Sequence, residues 1–352
     1  MICKDHIMVL QKQTSMRKFP LVFCLFLGLS VIATAQQDPM YTKYMFNSLA
    51  YNPAVAGSPE YLTLRALYRN QWWGIDGGPV TQSVSIHCPF KERVGLGLSI
   101  VNDKIGATGT TNLTGVYAYR IPFASGKLSI GIQASGKNYR TDFSLLKYKD
   151  PRFNDPSFDE QGGSRWLFNV GTGAFYYTKT YYVGVSVPNL IENDLNDGAG
   201  LIEGQRNAKT YRHYFVAAGA AWPIKGEAIY FKPSILIKSV GLLSDFTTDA
   251  TSLNAIGAPT EIDIDAGFLF YEALWLGASF RTALKPRELG GNSSFDSVDI
   301  WASYYLQNGL RIGASYDYTI NKLRTYVNGS FEVMVGYDFN YSSNKVITPR
   351  YF

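Results

Sequence analysis

Cysteine, histidine and charge are all scarce in this chain, and long apolar runs are missing from nearly all of it. Of its three cysteines, Cys3 and Cys24 fall within the first 35 residues. Beyond them only Cys88 remains, which excludes the disulfide framework of a small stapled secreted domain. Beyond the same region the histidines are His87 and His213, far apart and in no metal-ligand spacing, so a metal-dependent or triad hydrolase has little to work with. Charged residues are 17% of the chain, well under the roughly 25% usual for soluble domains. After residue 35 no apolar stretch approaches the roughly 18–20 residues of a spanning helix. No strongly basic segment suggests nucleic acid.

What the chain has instead is tyrosine, phenylalanine and glycine. Its 352 residues include 25 Tyr, 21 Phe and 33 Gly, and the aromatics reach 15%. A charge-poor, aromatic and glycine-rich chain without long apolar runs suits strands with one lipid face and one wet face. The first 35 residues read differently. Arg17 and Lys18 precede an apolar stretch from Leu21 to Ile32, and Ala33-Thr34-Ala35 has the form of an export cleavage site. They are expected to be a secretory signal peptide, with Met16 a possible true start. Cys24 lies inside the apolar stretch with Phe23 before it, which argues against lipidation.

From residue 60 onward the pattern has period two. Leu128, Ile130, Ile132 and Ala134 share one face; Ser129, Gly131, Gln133, Ser135 and Lys137 share the other. Leu310, Ile312, Ala314, Tyr316 and Tyr318 oppose Arg311, Gly313, Ser315, Asp317 and Thr319. Val327, Phe331, Val333, Val335, Tyr337 and Phe339 oppose Asn328, Ser330, Glu332 and Asp338. Fourteen such segments are predicted, at roughly 60–70, 79–88, 93–103, 111–122, 127–140, 165–178, 180–188, 211–222, 227–238, 261–271, 273–283, 296–306, 309–319 and 325–340. Short turns alternate with longer connections such as 141–164, 189–210 and 239–260, as in outer-membrane barrels. The expected fold is therefore all-β: a transmembrane up-and-down antiparallel barrel over residues 60–340, embedded in outer-membrane lipids, with a tail at 341–352. A soluble β-sandwich could use the same alternation. It suits the alternating connections less well.

Tyr and Trp near strand ends (Trp72, Trp73, Tyr117, Tyr119, Tyr176, Tyr177, Tyr181, Tyr182, Tyr304, Tyr305) are expected to form aromatic girdles. The lumen is expected to hold Arg65, Arg69, Arg120, Lys137, Arg281, Arg311, Asp299, Asp317, Glu332 and Asp338, either as ion-pair networks or as a solute filter. His87 and His213 are expected to be ordinary girdle or turn residues, and Asp263 with Asp265 part of a polar ladder. His87 and Cys88 are strand neighbours that point to opposite faces, so they make no dyad. No cofactor site and no catalytic group is read.

Residues 36–59 break the pattern. Met40, Tyr41, Tyr44, Met45, Leu49 and Ala50 recur near helical spacing, and Asn52-Pro53 is expected to end that turn. A plug in the lumen or a periplasmic docking element is expected here, with Tyr41, Tyr44 and Phe46 as contact residues. The tyrosine hydroxyls and Asn47 would bond to lumen charges such as Arg65 or Asp338. In the 141–164 loop, Tyr148, Phe153 and Phe158, with Trp166 at its edge, are candidates for an external partner site.

Several motifs together resemble the PorP/SprF family of Bacteroidota outer-membrane proteins. They are Gln37-Asp38-Pro39-Met40-Tyr41 running to Asn47, Asn52-Pro53-Ala54-Val55-Ala56-Gly57, the Arg69–Gln82 stretch with Trp72-Trp73-Gly74, Asn102 to Gly106, and the closing Pro349-Arg350-Tyr351-Phe352. Val55 and Cys88 depart from the usual pattern. The resemblance implies a non-enzymatic accessory barrel of type IX secretion and gliding motility. Its partner would be a secreted adhesin with a C-terminal sorting domain, with periplasmic ring proteins or peptidoglycan-linked lipoproteins of the machine as further contacts. The alternative is an outer-membrane pore for small solutes; an outer-membrane hydrolase is the weakest reading.

Overall fold

Alternation puts apolar side chains on one face of each strand and polar ones on the other, and a sheet built that way must curl until no edge is left in the lipid. The computed structural model describes residues 43–142, 164–193, 210–226, 228–240, 260–284 and 295–339. The signal region, Tyr41, Tyr148, Phe153, Phe158 and the 341–352 tail lie outside the described residues. The strands are β1 Thr63–Asn70, β2 Val80–Lys91, β3 Val94–Ile105, β4 Thr108–Pro122, β5 Lys127–Thr141, β6 Ser164–Tyr177, β7 Tyr181–Val187, β8 His213–Ala220, β9 Trp222–Lys225, β10 Ile229–Val240, β11 Thr260–Phe270, β12 Leu274–Leu284, β13 Phe295–Tyr305, β14 Leu310–Thr319 and β15 Ser330–Asp338. Each pairs antiparallel with its chain neighbours, and β1 pairs with both β2 and β15, which closes the cylinder.

β8 and the start of β9 lie along β10 in one register, with Ala218 opposite Ile235 and Trp222 opposite Phe231, before a bulge between Ile229 and Tyr230. They form one wall position with a break at Ala221, which lies across from Lys232 beside Pro233, a residue with no N–H to offer. The result is a closed fourteen-strand antiparallel barrel, not a sandwich.

Strand bounds shift by a few residues from the sequence reading, and two places matter most. β3 and β4 are longer than predicted and meet in a tight hairpin through Gly106 and Ala107. Gly106 takes φ +55°, which a residue without Cβ adopts freely. One connection on the long-loop side is therefore short. β15 starts at Ser330, not 325. Lys322–Thr325 is a 3-10 turn capped by Asn321, whose side chain accepts the Leu323 N–H at 2.8 Å, and Val327 is buried rather than outward. Asparagine's preference for capping overrides the alternation there.

The outward face carries Ile130, Ile132, Val183, Val185, Ile300, Ile312, Val333 and Val335 at mid-strand, all exposed. A soluble protein would leave so continuous an apolar surface to water; a lipid bilayer covers it. Aromatic side chains flank this band. Phe90, Tyr119, Phe123, Tyr181, Trp222, Tyr271 and Tyr304 are exposed near the short turns, and Trp73, Trp166, Phe168, Phe295, Tyr318 and Tyr326 near the other end. Three expected girdle residues do not belong to it. Tyr182 is buried, and Tyr177 and Tyr305 pack against buried clusters inside the barrel. In each adjacent pair only one side chain can face lipid. Since Phe339 N–H donates to Leu62 O at 2.9 Å, both ends of the barrel meet at the short-turn mouth, the periplasmic one.

This face assignment has a direct test. Ile132 is 58% exposed on the lipid side, whereas Gln133 is 9% exposed on the inner side. Ile132→Arg is expected to lower stability in bilayers by roughly 2–4 kcal/mol, and Gln133→Arg by much less. Equal unfolding midpoints for the two variants in urea titrations of lipid vesicles would refute the assignment.

Candidate functional site

The inner face is polar and crowded. Ahead of β1, residues 43–58 form three 3-10 turns, Tyr44–Phe46, Ser48–Ala50 and Pro53–Val55. Asn52 does not end a helix here, as the sequence suggested, but begins the third turn. Its side chain accepts the Ala54 N–H at 2.9 Å, and Pro53 occupies the first helical position, where a missing N–H costs nothing. Most side chains of this segment are buried, Tyr44, Phe46, Leu49 and Ala54 among them.

Its contacts come from almost every side of the cylinder. Tyr44 donates to Ser234 Oγ on β10 at 2.9 Å, and Ser85 of β2 donates to Asn47 Oδ1 at 3.0 Å. Asn52 Nδ2 reaches Ala174 O on β6 at 3.2 Å, and Ser186 of β7 donates to Tyr51 O at 2.6 Å. Gly57 N–H donates to His87 Nδ1 at 3.2 Å, and Arg120 Nη1 donates to Gly57 O at 2.7 Å. Only a segment lying within the lumen meets β2, β4, β6, β7 and β10 at once. His87 is thus an inward acceptor rather than a girdle residue. Tyr44 and Asn47 bond to hydroxyls and not to Arg65 or Asp338. Burial raises the Tyr44 phenol well above its ordinary value and pushes that of Tyr51 up to about 12, so both stay neutral.

The charge contact is made by Lys43, which the sequence reading did not single out. Its Nζ lies 3.4 Å from Asp265 Oδ1 and 3.3 Å from Asp299 Oδ2, and donates to Ser279 Oγ at 2.5 Å. Its backbone N–H donates to Glu332 Oε1 at 3.3 Å. Neighbouring pairs extend this network. Arg69 Nη1 sits 2.9 Å from Asp317 and 3.6 Å from Glu332, and Arg281 grips Asp263 with two bonds of 2.7 and 3.0 Å. Nearer the periplasmic mouth, Asp338 lies between Arg65 at 2.8 Å and Arg311 at 2.5 Å, and the Arg311 guanidinium stacks 4.4 Å from the Tyr305 ring. Arg65, Arg120, Arg311, Asp317 and Glu332 therefore all sit on the inner wall, and Arg120 holds backbone carbonyls rather than acids. Trp166, by contrast, points outward near the long-loop end and touches neither the segment nor the lumen.

Opposite the charged wall the segment leans on glycine. A Cβ added to Gly131 would lie 2.3 Å from Ala54 N and 2.4 Å from Pro53 C; one on Gly95 would lie 2.0 Å from Ala56 O; one on Gly173 would lie 2.3 Å from Asn52 Oδ1. Gly57, at φ +73°, makes the bend that leads out toward β1.

The profile of the family described as "Type IX secretion system membrane protein PorP/SprF" matches residues 33–337. The chain belongs to the PorP/SprF family. No curated protein matches it. Among solved structures it is similar to the outer-membrane protein Omp33 of Acinetobacter baumannii, with 9% identity, 80% of this chain and 98% of that one covered, and a TM-score of 0.42. It is also similar to a Pseudomonas aeruginosa FadL homologue, with 14% identity, 88% and 99% coverage and a TM-score of 0.47. The "TodX deltaS2S3 mutant monoaromatic hydrocarbon channel" aligns at 11% identity, 83% and 93% coverage and a TM-score of 0.46. As a PorP/SprF barrel with a continuous lipid-facing band, the protein resides in the bacterial outer membrane. Among the described residues no cluster of His, Cys, Asp and Glu is arranged to hold a metal ion.

Proposed function

We propose that this PorP/SprF protein is a non-enzymatic barrel whose lumen is closed by its own N-terminal segment, and that it helps export or anchor a secreted adhesin carrying a C-terminal sorting domain. The observation that carries the reading is the fit of residues 43–58 across the lumen, latched by Lys43 on one side and seated on glycine on the other. A diffusion pore needs an open lumen, and a segment bonded to strands on opposite sides of it would serve no purpose there. A barrel that works through a protein partner tolerates a closed one. The aromatic 141–164 loop is the proposed external contact, and the periplasmic mouth, where the segment leaves, is the proposed meeting place with ring proteins or lipoproteins of the machine.

The test has two readouts. In planar bilayers the intact protein is expected to stay closed, while excision of residues 43–52 opens a steady conductance with the fourteen strands retained. In cells lacking the chain, surface retention of a sorting-domain protein should fall and return on complementation. Large open-channel currents from the intact protein would support a solute pore instead, and unchanged retention would refute the partner reading.

A further inference from the structure

We propose that the external half of the lumen is a peptide-binding vestibule that takes a short extended segment of a partner protein, bearing an aliphatic or aromatic side chain. This rests on the partner-barrel reading above and gives that barrel a specific contact site. Above the inner segment lies a cavity of about 110 Å³. By the space one water needs, that is room for on the order of ten non-hydrogen atoms, a residue or two of peptide. Tyr44, Leu49 and Tyr51 form its floor, and Phe215 and Leu236 one wall. The surface it offers is mostly apolar, although polar and charged side chains stand around it.

Besides Lys137, Asp263 and the Lys238–Glu261 pair, the polar groups are carboxamides and hydroxyls, and their neighbours already show what the carboxamides do here. Gln133 Nε2 donates to Pro188 O at 3.0 Å. Asn169 Oδ1 accepts the Ile191 N–H at 2.9 Å while its Nδ2 donates to Ile191 O at 2.7 Å. Each carboxamide stands in for a peptide group, so the β5–β6 wall holds the stretch from Pro188 to Ile191 as a strand would. Asn112 of β4 presents the same group to the cavity. Its Nδ2 donates to Thr114 Oγ1 at 3.2 Å, but its Oδ1 is buried with no hydrogen-bond partner, as is Ser99 Oγ beside it. An acceptor and a hydroxyl without partners, beside a space walled by Tyr51, Phe215 and Leu236, are matched by the N–H and C=O of a peptide whose side chain enters there. The Lys238–Glu261 ion pair, 3.8 Å apart at the loop end of β10 and β11, closes the rim on that side.

The probes are acetyl-Ala-Leu-Ala-amide, acetyl-Ala-Gly-Ala-amide and N-acetylglucosamine, titrated onto the full chain in nanodiscs by ligand-observed NMR. The leucyl peptide should bind saturably and the glycyl peptide at least about tenfold more weakly, as one buried aliphatic side chain dictates. Asn112→Leu should weaken the leucyl peptide about tenfold through loss of one hydrogen bond. Leu236→Trp, which fills the pocket, should abolish binding; heat-modifiability on gels verifies that both variants fold. No saturable peptide binding, equal affinity for the two peptides, or saturable binding of the sugar instead would overturn the proposal. Failure of peptide binding while surface retention still depends on the chain removes the vestibule and leaves the partner reading standing. Retention that is independent of the chain removes the partner reading whatever the peptides do.

Discussion

Replacing Lys43 with methionine is expected to destabilise the seated state of the inner segment by about 3–5 kcal/mol at neutral pH, the scale of breaking a buried ion pair from one side. Methionine keeps the length and most of the volume of the lysine stem, so packing around it changes little. What changes is electrostatic. Asp265 and Asp299 have side chains only 1% exposed, and both face the Lys43 ammonium. Without it the two carboxylates share a dry site whose neighbouring cation, Arg281, is already gripped by Asp263. The strands are held by their own ladders, so the segment is the part that yields. The expected readouts are protease access to residues 43–58 and a conductance that the parent protein lacks. A second substitution set separates charge from shape: adding Asp265→Asn and Asp299→Asn to the methionine variant should restore much of the loss, because replacing a whole buried ionic group is far cheaper than removing half of it. A methionine variant as closed and protease-resistant as the parent would show that Lys43 does not hold the segment.

The strands were legible in the sequence because one physical demand acts on every one of them. Lipid on one side and a polar lumen on the other leave a period of two intact from β1 to β15, and the short turns mark the periplasmic ends. Where the reading slipped, a local rule outweighed that demand. Asn321 caps a 3-10 turn ahead of β15, Gly106 tightens a hairpin, and paired tyrosines such as Tyr181 and Tyr182 divide between lipid and lumen. The inner segment was visible only as a break in the pattern. Lys43 gave no signal of its own, because one lysine in an aromatic stretch is ordinarily a solvated residue. Its partners Asp265 and Asp299 lie more than two hundred positions away, on separate strands. The glycines were visible but unexplained. Gly95, Gly131, Gly173 and Gly184 all fall on the inward parity of β3, β5, β6 and β7, whereas Asp263, Asp265, Arg281, Asp299, Asp317 and Glu332 fall on the inward parity of β11 to β15. A wall that is glycine on one side and charged on the other signals a backbone against the first and a charge against the second.

Gly131→Val is therefore expected to unseat the segment while leaving the barrel folded. Valine favours strands over glycine, so on local grounds β5 should gain. The obstacle is the luminal neighbour: a Cβ at this position meets Ala54 N at 2.3 Å, Pro53 C at 2.4 Å and Ala54 Cα at 2.6 Å, all backbone atoms of a turn that cannot rotate away. Overpacking of this kind costs typically about 1–3 kcal/mol when side chains can shift, and more where backbone must. That loss falls on the segment's docking, because β5 has hydrogen-bonded neighbours on both sides whereas the segment is held by scattered side-chain contacts. Gly115 supplies the control. It lies on the adjacent strand and faces outward, and a Cβ added there would meet nothing within 4 Å. Gly115→Val should keep the parent's closed conductance and equal or exceed its stability in lipid vesicles. Gly131→Val should stay heat-modifiable on gels, conduct in planar bilayers and expose residues 43–58 to protease. If the two valine variants were indistinguishable in conductance, the glycine wall would have no part in seating the segment, and the closure of the lumen would have to rest on the Lys43 network alone.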